Sequence, residues 1–339
     1  MTILWAGNED ICFLEYAVTD VSTSVVGRPT FARCSFNIGR LSAADATAME
    51  AAHTFSSVTE AWLGFSVMPQ GSSFSASPEK RLCGLATSGS LAGIFVGVAS
   101  GKLKLWTRGS AGTLTEVMVE ATGSLPQSTT TAHRIDVHLL DIGSTTGSAE
   151  IYRENKLVLT GSGLDFAPAG LSSVNVFRAL KGGGGSSAHN LYVNEFIVAD
   201  EPTLHKYAFT LYPNAAGDSN DWNGAYTAVD EIVNSDVDII SSSVDDQDFL
   251  ANTPNPTATG AYFVYSLTLH ARASTDGAGS NAVKLGLKSG GTVDVDSSHT
   301  LTSEYSREIR HMTTNPVTAG QFTQDDVNGH QIALRSATV

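Results

Sequence analysis

The feature that most constrains this chain is a series of short apolar runs, most alternating with polar residues and set between turn residues along nearly its whole length. Residues 134–140 show the pattern plainly, with Ile135, Val137 and Leu139 on one face of a strand. Residues 62–68 form a similar run. Residues 93–98 and 102–106 flank a Ser-Gly turn and predict a hairpin. Further strands are predicted over 114–119, 149–153 and 156–160, the last two joined at Glu154-Asn155, and over 174–177 and 190–198. Strands at this spacing, with no strong helix between them, predict an all-β chain of sandwich type. Residues 42–53 are a helical candidate, or equally a loop insertion.

Composition agrees. Only 16% of residues are charged, against about a quarter in an average globular chain. Long exposed helices need more Lys, Glu and Arg than this. The formal net charge of −14 repels phosphate backbones, which argues against direct nucleic-acid binding. Acidity of this kind keeps a β-rich protein soluble, or it attracts divalent cations. Three cysteines, Cys12, Cys34 and Cys83, predict free buried thiols made in a reducing cytoplasm. The N-terminus lacks the marks of a signal peptide. No apolar stretch nears the roughly 18 residues a membrane span needs.

With 339 residues the chain can hold two domains. Residues 182–185, four glycines, predict a surface loop. The acidic, proline-containing turn at 199–203 is the better boundary, giving two consecutive β-sandwich domains over 1–200 and 204–339. In the second, strands are expected over 206–212, 262–272 (the longest in the chain), 281–287, 294–301, 307–312 and 332–335.

Three stretches resemble tailed-bacteriophage virion proteins. Asp136-Val137-His138-Leu139 through Ile151-Tyr152 and Lys156-Leu157-Val158 is similar to the strand–turn–strand of concanavalin-like (laminin-G-like) jelly rolls. Asn194 to Glu201, followed by Pro213-Asn214, Gly217, Trp222 and Val229-Asp230-Glu231, resembles a closing jelly-roll strand that runs into a "PNxxG…W" segment and then "VDE". Thr314-Asn315-Pro316 through Phe322-Thr323 to Val327-Asn328 resembles a phage "TNPxTGxxWTxxxVN" segment, with Phe322 where tryptophan is usual. Thr323 is the expected N-cap of a short helix there. The resemblance covers about residues 130–339. It implies a jelly roll in the first domain, a second phage β-sandwich after it, and a place in the virion after assembly in the host cytoplasm.

Chemical motifs are sparse. The two-carboxylate spacing of concanavalin-like glucanases does not occur; Glu150 and Glu154 do not match it. No nucleophile elbow or P-loop is present. His133 and His138 have opposite strand parity and cannot share a metal within one face. No catalytic residue is assigned, and a non-enzyme is expected. Asp218, Asn220 and Asp221, with Asn223 and Gly224, are the candidate metal ligands, for calcium; Asp245, Asp246 and Asp248 form a second acidic cluster. Solvated turns with Asx hydrogen bonds are the alternative. Trp62 and Trp106 are expected in the core. Trp222 is the candidate contact residue, or an anchor for its loop.

The expectation is therefore a structural virion component, such as a spike, fibre, collar or decoration protein. Its partners would be copies of itself, a homotrimer being one natural state, and other virion proteins. The alternative is a virion-attached, lectin-like adhesin that binds host surface glycans through loops 218–223 and 181–187.

Overall fold

A computed structural model describes residues 3–7, 36–38, 48–50, 54–70, 80–99, 101–123, 125, 132–168, 170–180, 190–206, 208, 211–230, 237–255, 263–277 and 279–339. It divides into two compact units, Met1–Ala208 and Phe209–Val339. Strands dominate both, as alternation predicted, and all the pairing is antiparallel.

In the first unit the strands are β1 (Ile3–Gly7), β2 (Phe36–Ile38), β3 (Ala48–Glu50), β4 (Ala61–Gln70), β5 (Lys80–Ala86), β6 (Gly93–Ala99), β7 (Lys102–Arg108), β8 (Leu114–Val119), β9 (His133–Leu140), β10 (Gly147–Arg153), β11 (Lys156–Leu164), β12 (Val176–Leu180) and β13 (Asn190–Ala199). One sheet runs β1-β13-β4-β9-β10-β11, with β2 also on β13; the other runs β3-β12-β5-β6-β7-β8. Leu63, Phe65 and Val67 of β4 and Ile135, Val137 and Leu139 of β9 meet Leu82, Leu85, Phe95 and Leu105 of the second sheet in one core. Each such side chain contributes roughly 1.5–3 kcal/mol by burial. The β10–β11 turn places Glu154 and Asn155 at φ 47° and 64°, the left-handed pair that a two-residue hairpin needs.

In the second unit the strands are β14 (Ala215–Asn220), β15 (Asp248–Asn252), β16 (Leu267–Ala273), β17 (Ala282–Ser289), β18 (Thr292–Val295), β19 (His299–Thr300), β20 (Ser306–Met312) and β21 (Gln331–Ala337), with one short helix, α1 (Gln324–Asn328). A six-stranded sheet runs β14-β15-β21-β17-β18, with β19 on β17, and β16 and β20 form a separate ribbon. Leu267 and Leu269 of the ribbon pack on Leu287, Met312 and Phe322.

Several expectations need correction. Within 42–53 the described residues are strand β3, not helix, because β12 offers them a hydrogen-bonding edge that outweighs the alanines' helix propensity. Lys206, Ala208, Leu211 and Tyr212 lie outside strands; the Lys206 amide instead closes a turn onto the Thr203 carbonyl. The strand expected from Tyr262 starts at Leu267, because its partner β20 ends at Met312. At 7 residues β16 is shorter than β4 and β13, each of 10. The run 294–301 is split between β18 and β19. Strands β14 and β15 lie in segments with no apolar alternation to mark them. Cys83 is a free, buried thiol, raised by that burial well above its ordinary value. Cys12, Cys34 and loop 181–187 lie outside the described residues.

Candidate functional site

Because β4 and β9 turn their odd-numbered residues to the core, Gly64 and Ser66 and also Arg134 and Asp136 stand on the opposite face of the sheet. There they build a buried polar network. Arg134 is 1% exposed and Asp136 0%. The Arg134 guanidinium donates to Asp136 Oδ1 at 3.2 Å and to the Glu195 carbonyl at 2.9 Å. Ser66 Oγ donates to Glu195 Oε2 at 2.5 Å. Glu195 sits at φ 56° where the β13–β4 register shifts, a bulge that brings its carbonyl within reach of the guanidinium. Gly64 makes the network possible, since a Cβ there would lie 1.9 Å from Arg134 Nη2.

The segment that leaves β13 covers this network. Thr203 is fully buried and donates to Asp136 Oδ1 at 2.7 Å, and the His205 amide donates to Asn155 Oδ1 at 2.7 Å. Burial holds the Lys206 ammonium below its ordinary value, against the opposing pull of Glu201 and Asp136.

Beside it on the same face lies an aromatic and acidic cluster. Trp62 stacks on His138 with centroids 4.3 Å apart and planes at 12°, and lies 5.7 Å from Tyr152. His138 Nε2 is 3.0 Å from Glu60 Oε1, and Nδ1 is 3.6 Å from Glu150 Oε2. Tyr152 donates to Glu150 at 2.7 Å. Burial, then that bond and the charge of Glu150, push the phenol up to about 12. Tyr152 is thus a hydrogen-bond donor at neutral pH and not a base. The cluster offers aromatic surface and two partly exposed carboxylates. Trp62 and Trp106 are both buried, but neither belongs to the core between the sheets. Their parity against Leu63 and Leu105 was the signal for this. His133 and His138 do fall on opposite faces, and Glu154 is engaged in the turn, where it accepts from the Arg134 amide at 2.9 Å.

The acidic segment of the second unit is drawn to separate partners. Asp218 accepts from Lys288 Nζ at 2.5 Å, and this bond leads the causes that hold its carboxyl below the usual range. Asn220 spans its own turn, accepting from the Trp222 amide and donating to the Gly224 carbonyl. Asp221 accepts from Ser219 and from the Asp248 amide, each at 3.4 Å. Asp248 forms a two-pronged pair with Arg335 at 2.7 and 2.8 Å, and Asp245 accepts from Ser280 and Thr338. Asp218, Asn220 and Asp221 are therefore not gathered into one ligand set. Among the described residues no group of three or more His, Cys, Asp or Glu is placed to hold a metal. Trp222 is half-buried: Nε1 donates to the Gln247 carbonyl at 2.9 Å and the ring packs against Phe249. It anchors its loop.

No family model matches the chain, and no curated protein matches it. Solved structures give low-scoring likenesses. The botulinum neurotoxin type G receptor-binding domain has a TM-score of 0.35 at 11% identity, covering 50% of this chain and 39% of that one. The receptor-binding domain of botulinum neurotoxin D has a TM-score of 0.35 at 9% identity, covering 50% and 40%. The serotype D ligand-binding domain in complex with N-acetylneuraminic acid has a TM-score of 0.34 at 8% identity, covering 50% and 39%. The matched region thus spans about two fifths of those chains. Among the described residues no helix is long and apolar enough to cross a membrane.

Proposed function

We propose that this chain is a non-enzymatic structural component of a tailed-phage virion, a homo-oligomer that acts through contacts with its own copies and with other virion proteins. The observation that carries this reading is the exposure of large apolar side chains on the second unit. Val237, Ile239 and Val244 are exposed within one short stretch, and Phe263 is 81% exposed. Exposed apolar side chains of this kind are available for a neighbouring subunit to cover. The low charge of the chain supports the same reading, as do polar clusters whose members bond mainly to one another.

A second reading, a virion-attached adhesin for host glycans, is supported by the cluster of Tyr152, His138, Glu60 and Glu150, which joins aromatic surface to acceptors for sugar hydroxyls. A glycan array probed with the full chain separates the two. The assembly reading expects no binding above background. Binding that is lost in Tyr152→Ala would transfer the assignment to the adhesin.

A further inference from the structure

We propose that Asn223 is a site of spontaneous covalent modification, its side-chain amide converting to a carboxylate through a ring closed by the backbone nitrogen of Gly224. Such an attack needs a following nitrogen that can swing onto the side chain, and glycine offers one with no Cβ in the way. The chain contains the dipeptide Asn-Gly twice, at 223–224 and at 328–329. The fold puts the two in opposite settings.

Asn223 and Gly224 are both exposed, in the loop that follows β14. Asn223 is held by an isolated bridge to Ser241, its amide donating at 2.8 Å and its carbonyl accepting at 3.0 Å. Among the described residues no acceptor takes the Gly224 amide, and no group bonds the Asn223 side chain. The attacking nitrogen is therefore open to water and base. Rotation toward the side chain breaks the bond from the Ser241 amide, and Gly224, at φ 100°, has the backbone freedom to absorb it.

Asn328 differs. It ends α1, and the Gly329 amide donates to the Asp325 carbonyl at 3.0 Å. The nitrogen that would attack is itself engaged, and its release unwinds the last turn of a helix fixed by its capping box and by buried Val327.

The reaction needs no co-reactant but water. The Gly224 nitrogen bonds to Asn223 Cγ, the Cγ–Nδ2 bond breaks, and ammonia leaves with the amide proton. Water then opens the cyclic imide. Opening at Cγ leaves an aspartate; opening at the backbone carbonyl leaves the isomer whose chain runs through the side chain. Nothing is oxidised or reduced. Either product adds a negative charge next to Asp221 and Trp222, and the isomer lengthens the backbone where Asn223 meets Ser241.

Peptide mass mapping tests this on the full chain, incubated at mildly alkaline pH either folded or unfolded in guanidinium chloride. In the folded chain Asn223 is expected to convert about fivefold or more faster than Asn328, the factor that one held amide is worth. Unfolding should collapse that preference. Asn223→Gln should abolish the acidic form that anion exchange resolves as the folded chain ages, with the melting temperature unchanged. An Asn223 that stays intact in the folded chain, or converts there no faster than Asn328, overturns the proposal. A preference that survives unfolding overturns it too, because the neighbouring residues and not the fold would then set the rates.

Discussion

Arg134 and Asp136 pair at 3.2 Å on the side of β9 that faces away from the core, and both are buried. An ion pair in that position depends on every neighbour that replaces water: the Glu195 carbonyl, Ser66, Thr203 and the space left by Gly64. Removing one partner of a buried pair strands the other's charge, which costs about 3–5 kcal/mol. Arg134→Met should lose about that much stability in urea unfolding, and adding Asp136→Leu should restore part of it. A loss below about 0.5 kcal/mol for Arg134→Met, the scale of an ordinary surface change, would show that the network does not hold the connector.

The segment around α1 is organised by two side chains. Thr323 and Asp326 form a reciprocal capping box, and buried Asn315 donates to Asp326 Oδ1 at 2.9 Å while its own carbonyls take the Val317 and Ala319 amides. Burial raises the Asp326 carboxyl, but the bonds from Thr323 and Asn315 outweigh it and leave the group below its ordinary value. Thr323→Ala should cost about 0.5–2 kcal/mol, read as a lowered denaturation midpoint, and Thr323→Ser should cost much less.

Trp222 acts as an anchor through its indole N–H and its ring. Trp222→Phe keeps the packing on Phe249 and loses the bond to Gln247. The expected cost is about 1 kcal/mol, with a larger loss for Trp222→Ala. No measurable loss in Trp222→Phe would show that the hydrogen bond is immaterial, and equal losses in the two variants would show that the ring packing is.

His330 is buried, and that burial lowers its affinity for a proton, although the contact with the Val327 carbonyl works the other way. The unfolded chain therefore binds the proton more readily than the folded one. This contribution to stability is present above the ordinary imidazole value of 6.5 and is lost as pH falls below it. Melting temperature measured on either side of that value should drop on the acid side, and His330→Gln should flatten that part of the profile. The lowered carboxyls of Asp218 and Asp245 add a second loss only at more acid pH, as the medium falls through the carboxylate range.

Alternation made much of the first unit legible. Residues 114–119 form the expected strand, and residues 134–140 sit in theirs with Ile135, Val137 and Leu139 on the core face as expected, since that side is committed to the core. Second-unit strands such as β14 were not legible. Gly217 belongs to β14 because β15 passes too close for any side chain, a Cβ there lying 2.5 Å from the Leu250 carbonyl carbon. A close approach of that kind leaves no hydrophobic period. Thr323 was legible as a cap because the cap and its partner are local in sequence. The Arg134 network was not, since Ser66, Glu195 and Thr203 meet it only through the strand order. The acidic residues 218–221 looked like ligands because their partners Lys288, Gln331 and Asp248 also lie far off in sequence.

The central claim is that the chain works by assembling. Its most direct test is the mass of the full protein in solution, measured by light scattering at several concentrations with and without a chelator of divalent cations. The account predicts a defined oligomer whose mass the chelator does not change. A monomer at every concentration, or an oligomer that dissociates on chelation, would contradict it.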